Sequence, residues 1–203
     1  MTGFLKRDYY LISSNLRFYL LFMACFALLA LFTDFNTGFF ALYVVIFAMS
    51  SVLGLFSYDD LNHWTAYGAA VPGGRRAMVD ARYLLTVLIA VGMAAAQVLL
   101  GLLDREEDVL TLTAVYCGAF LLYAALALPV SYHFGGTRAR TVMIVVIGIL
   151  AGLAAAGASV LNIANITGGF RLPPAALLLP LAGLAALVLS RYVSLGIMGR
   201  KEL

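Results

Sequence analysis

Residues 58–82 read YDDLNHWTAYGAAVPGGRRAMVDAR, and this stretch decides how the chain is organised. It carries Asp59, Asp60, Arg75, Arg76, Asp80 and Arg82 together with Trp64 and Tyr67, and it stands between two long apolar runs. The surrounding composition is that of a membrane protein. Hydrophobic residues make up 64% of the 203 and charged residues 11%, against about 45–50% and about 25% in soluble domains. A polar, aromatic-bearing insert in such a chain marks the place where it meets something soluble.

Working outward from the insert, the apolar runs parse into six helices of roughly membrane-crossing length: 18–33, 39–57, 83–103, 109–131, 141–163 and 174–195. The expected fold is therefore an all-α integral membrane protein, one transmembrane domain over residues 1–203. Uninterrupted apolar runs disfavour a β-barrel. The run that follows Lys6 and Arg7 reaches Asp34 without a small-x-small cleavage pattern, so it reads as a retained first span. The join at residues 33–38 then reads as a tight turn, so that spans 1 and 2 form a helical hairpin.

Charge placement sets the orientation. Lys6, Arg7, Arg17, Arg75, Arg76, Arg82, Arg138, Arg140, Arg191, Arg200 and Lys201 fall on one side, and only Arg105 and Arg171 on the other. The positive-inside rule then puts both termini and the insert in the cytoplasm. The net charge of +3 is thus topological and calls for no nucleic-acid partner. The acidic run from Asp104 to Asp108 faces outward, as a solvated loop or as a lure for cationic substrate. Cys25 and Cys117 lie inside spans, where a thiol behaves as a small hydrophobe. Two cysteines and two histidines so far apart make neither a disulfide nor a metal cluster.

Several local features carry expectations. Residues 4–16 place Phe4, Leu5, Leu11, Ile12 and Leu16 on one helical face and Lys6, Arg7, Ser13 and Ser14 on the other, as in a helix lying at the membrane interface. Ser57-x-x-Asp60 has the form of a capping box, so a short helix is expected to begin there with both carboxylates in its first turn. It should end at Val71, because Pro72 disfavours helical geometry in the preceding residue and Gly73 and Gly74 permit a sharp turn. Gly92 with Ala96, and Gly148 with Gly152 and Ala156, are steps of small residues that fit close helix packing, first within the subunit and alternatively between subunits. Pro129 and Pro180 are expected to bend their helices. The span centres lack ionisable groups, which disfavours an ion-coupled carrier. The chain has no G-x-x-x-x-G-K-[ST] phosphate cradle, and no catalytic, cofactor-binding or metal-ligating residue is assigned.

The order Asp59, Asp60, Trp64, Tyr67, Val71, Pro72, Arg76, Val79, Arg82, Tyr83 resembles the D-E…W…LP…R…V…KY signature of small six-span permeases of ABC exporters, the ABC type-two permease superfamily. Pro129, Tyr132, Phe134, Gly135, Arg138 and Arg140 resemble a second stretch of the same family, and Leu5, Lys6, Arg7, Asp8 its L-K-D opening. Asp60 stands where Glu is usual, Ala70 where Leu is usual and Arg82 where Lys is common. The resemblance implies a permease working as a homodimer or heterodimer by alternating access in a bacterial plasma membrane. ATP and Mg would be bound by separate ATPase subunits. Those subunits would dock on a coupling helix built from Asp59, Asp60, Trp64, Tyr67, Pro72, Gly73, Gly74, Arg75 and Arg76, with Phe134, Gly135 and Arg138 in a second cytoplasmic loop. An amphipathic or antimicrobial peptide is the first substrate it suggests. The alternative is a non-transporting peptide-resistance or sensor subunit that binds a cytoplasmic protein through the same insert.

Overall fold

The computed structural model describes residues 2–14, 21, 38–104, 109–149 and 177–200, and among these residues there is no strand. The helices are α1 (residues 2–14), α2 (Gly38–Leu61), α3 (Trp64–Ala70), α4 (Gly74–Asp104), α5 (Val109–Phe134), α6 (residues 136–149) and α7 (Leu179–Arg200). Four are long and apolar enough to cross a membrane: Tyr43–Leu61, Gly74–Leu99, Val109–Phe134 and Leu179–Arg200. They overlap four of the six expected spans, with bounds shifted by up to nine residues. Of the other two, 18–33 lies outside the described residues except for Leu21, and 141–163 is described only over 141–149, as part of α6. The expected 33–38 turn, except for Gly38 at the start of α2, and Cys25, Gly152, Ala156 and the acidic run beyond Asp104 also lie outside them.

α4 has 31 residues, about 46 Å at 1.5 Å per residue, and outruns a hydrocarbon layer of about 30 Å. The helix is thus longer than the hydrocarbon is thick, and its candidate span runs over Gly74–Leu99. Large apolar side chains on α4, α6 and α7, such as Leu88, Val91, Ile144, Val188 and Leu189, are exposed, while Val52, Met78, Phe120 and Leu128 fill the interior. Helices that are apolar on their outer faces as well suit a lipid solvent.

α5 packs on α7, α4 and α2, and α4 also touches α2 and α7. Two glycines set the α5–α7 approach. A Cβ on Gly118 would sit 2.7 Å from the Leu179 Cβ, and one on Gly183 would sit 2.6 Å from the Leu121 Cβ. Of the expected small-residue steps, Gly92 and Gly148 face open space within the chain: an added Cβ at either meets nothing within 4 Å. Close packing needs a neighbour at the right height, which spacing along one helix does not encode. Pro180 falls in the first turn of α7, where its missing N–H is lost to no hydrogen bond, so it does not bend the span. Pro129 is inside α5 as expected. Between α4 and α7 the Tyr83 hydroxyl bonds the hydroxyls of Ser190 at 2.6 Å and Ser194 at 2.8 Å. Asp80 accepts from Arg191 Nε at 2.8 Å.

Candidate functional site

The insert is built differently from the capping-box expectation. α2 runs unbroken through Ser57, Asp59 and Asp60 to Leu61, and the Ser57 hydroxyl bonds back to the Leu53 carbonyl at 3.3 Å. Both carboxylates thus lie at the end of a membrane helix, not at the start of a short one. The chain turns at Asn62, whose amide and side chain both donate to the Tyr58 carbonyl, at 3.2 and 2.9 Å. His63 adopts φ 49°, and α3 starts at Trp64 without a side-chain cap. The far end follows expectation. Val71 is extended ahead of Pro72, Gly73 has φ 71°, and the Gly74 amide donates to the Val71 carbonyl at 2.8 Å. Gly74 lies so close to the Gly68 carbonyl that any Cβ would collide with it, which packs α3 back onto α4.

Asp59 is the centre of a buried charge cluster. Its carboxylate accepts from Arg7 of α1 and from Arg82 of α4. Asp8 lies 3.4 Å from Arg7 and 3.7 Å from Arg82. The side chains of Asp8, Asp59 and Arg82 are no more than 2% exposed, and that of Arg7 is 21% exposed. Two cations and two anions balance, the arrangement under which buried charge is tolerated. The Arg82 guanidinium lies 3.9 Å from the Phe56 ring centre and 5.7 Å from that of Tyr132, while Arg7 lies 4.3 Å from that of Trp64. Burial raises the Asp8 carboxyl above the ordinary carboxylate range, against the opposing pull of Arg82 and Arg7. The quartet ties α1, α2 and α4 together, with α5 reached through Tyr132.

This corrects the expected face of α1. Arg7 turns inward rather than to the polar side, and Asp8 is buried at 1% exposure. Asp8 stands one turn after Phe4 and one before Ile12, inside the apolar stripe, so its position was a readable signal. Arg82 likewise sits among buried Met78, Val79 and Tyr83. Both are site residues that the coupling assignment omitted.

Asp60 makes the second connection. Its Oδ2 accepts from the amides of Gly136 at 2.5 Å and Thr137 at 3.4 Å, so it caps α6 where the helix dipole favours an anion. Gly135, at φ 82°, separates α5 from α6. A Cβ on Gly136 would overlap the α2 backbone at Phe56 and Ser57. The insert and the second loop are therefore joined, with Phe134 and Arg138 exposed beside the junction.

The remaining insert residues divide by exposure. Tyr67 at 70%, Leu61 at 74% and Val71 at 52% are open, as are Pro72, Gly73 and Arg76. Trp64 is half-buried against the core, and its indole N–H has no hydrogen-bond partner. Arg75 Nη1 is 3.4 Å from the carbonyls of Met198 and Gly199 at the end of α7. Among the described residues no group of His, Cys, Asp and Glu could hold a metal ion, and Cys117 is a free thiol.

A family model described as "ABC-2 family transporter protein" matches residues 3–199. No curated protein and no solved structure matches the chain significantly.

Proposed function

Starting from the fact that the chain belongs to the ABC-2 transporter family, whose members are membrane translocation components and not the ATPase, we propose that it is the permease subunit of an ATP-driven exporter. In this reading it has six spans, with both termini and α3 on the cytoplasmic side of a bacterial plasma membrane. Two copies, or this chain and a second permease, alternate access to an amphipathic peptide. Separate ATPase chains bind ATP and Mg and dock on α3.

The observation that carries the reading is the pairing of a braced helix with an unbraced apolar surface. α3 is held from beneath by the Gly68–Gly74 approach and by Trp64 under Arg7, while Leu61 at the end of α2 and Tyr67 and Val71 beyond it present exposed apolar area. A coupling element needs both: a partner's anchor and a rigid path into the bundle. Asp59 supports the path through the charge quartet, and Asp60 extends it to α6.

The test is copurification of a nucleotide-binding partner with the tagged full-length chain, together with substrate-stimulated ATP hydrolysis. Tyr67→Ala should weaken docking by more than ~1 kcal/mol, as removal of an interface aromatic does, and leave the melting temperature unchanged. Trp64→Ala should instead lower the melting temperature, since that ring is packed inward. Absence of an ATPase partner would favour the non-transporting sensor reading, and full docking by Tyr67→Ala would remove α3 as the contact. A cysteine at Asn62 labelled from outside intact cells would invert the topology.

A further inference from the structure

We infer that the cleft between the start of α4 and the end of α7 seats the phosphate headgroup of an anionic phospholipid. The cleft has a volume of about 560 Å³ and is lined by Arg75, Arg76 and Arg191 over Leu195, Gly196 and Gly199, with Tyr192 at its side. Among the described residues no carboxylate lines it. Asp80 holds Arg191 through one oxygen, Oδ1, which meets Nε at 2.8 Å and Nη2 at 2.7 Å, and so leaves Nη1 unengaged by that pair. Arg75 is steadied by long contacts to two α7 carbonyls, and Arg76 is exposed and makes no ion pair among the described residues. Among the described residues, three guanidinium groups set against one bound carboxylate leave an excess of positive charge, in the group best matched to phosphate oxygens.

The floor of the cleft distinguishes a lipid from a free anion. Gly199, Gly196, Tyr192, Leu189 and Val188, Ala185 and Leu181 recur at three- and four-residue steps, so they share one face of α7. All of them are exposed, and a Cβ at Gly196 or Gly199 meets nothing within 4 Å. The face thus runs without a break from the arginine cleft into the apolar, membrane-crossing part of α7. A headgroup held by the arginines would send its acyl chains along that stripe. Inorganic phosphate has no use for it. Basic clefts at the ends of membrane helices are a recognised way of holding anionic lipid heads. The inference needs only that α7 spans a bilayer, and stands whatever the chain transports.

The experiment titrates the purified full-length chain in detergent with phosphatidylglycerol, and in parallel with phosphatidylcholine and with inorganic phosphate, reading bound lipid by native mass spectrometry and the melting temperature. Phosphatidylglycerol should bind and raise the melting temperature, and the other two should not. Arg76→Gln, at an exposed side chain, should weaken phosphatidylglycerol about fivefold, the effect of one surface cation on an anionic lipid. Gly196→Leu, which fills the floor without meeting protein, should abolish saturable binding. Lys6→Gln, at an exposed cation away from the cleft, should bind as the wild type does. Equal binding of phosphatidylcholine, displacement of the lipid by inorganic phosphate, undiminished binding by both cleft variants, or an equal loss in Lys6→Gln would each overturn the assignment.

Discussion

Replacing Arg82 by Met tests whether the buried quartet holds the bundle together. The substitution keeps an unbranched apolar stem but leaves Asp8 and Asp59 buried with Arg7 as their one cation. Breaking a buried pair from one side costs about 3–5 kcal/mol, and loss of the guanidinium over Phe56 adds up to about 2 kcal/mol where the contact is desolvated. For a chain of this size roughly 2–4 °C of melting temperature accompanies each kcal/mol, so Arg82→Met should melt on the order of 10 °C lower. Asp59→Asn added to Arg82→Met leaves Arg7 with Asp8, a neutral pair, and should restore about 2–3 kcal/mol. The assay is unfolding in mixed micelles, followed by emission of Trp64, which is the single tryptophan of the chain and lies against Arg7. If Arg82→Met stays within about 1 kcal/mol of wild type, or if the double variant is no more stable than the single, the quartet does not act as a unit and the reasoning fails.

Three further outcomes follow from other contacts. Asp60→Ala should cost about 1 kcal/mol, the usual loss of a helix cap, with faster hydrogen exchange at Gly136 and Thr137 than in the rest of α6. Tyr83→Phe should cost about 1 kcal/mol through its two serine bonds, read as a melting temperature lowered by a few degrees. Asp8 has a folded pKa raised above its unfolded value, so the stability due to its neutral form is complete below the unfolded pKa and is lost as pH rises through the folded one. The melting temperature of wild type minus that of Asp8→Asn should therefore fall as pH is raised from acid to neutral, and a rise would contradict the burial of Asp8.

Helix positions were legible because lipid demands long apolar runs, and four expected spans appear as continuous helices. The Val71–Gly74 turn was legible because proline and glycine act on their own backbone. Ser57-x-x-Asp60 misled because a capping box is a local pattern, and the apolar surface that α2 buries as far as Leu55 and Phe56 extended the helix past it. Asp60 does cap a helix, but one that begins 76 residues later. Gly118 and Gly183 are close-packed because each faces a leucine across the gap, which spacing along one helix does not encode. The charge of Asp8 and Arg82 was visible, and their pairing was not, since a pair is a property of three dimensions.

The charge quartet also imposes an order on biosynthesis. Asp59 follows Arg7 by 52 residues, and Arg82 follows Asp59 by another 23. At about 5–20 residues per second, roughly 4–15 s separate translation of the first member from that of the last. Through that interval Arg7 and Asp8 are without Arg82, and a carboxylate without its cation is held in water by its own hydration. The N-terminal helix therefore settles only once α4 has been made, although it precedes α4 in the chain. A ribosome stalled before residue 82 should present α1 open to protease, and one stalled after α4 has cleared the exit tunnel should present it closed.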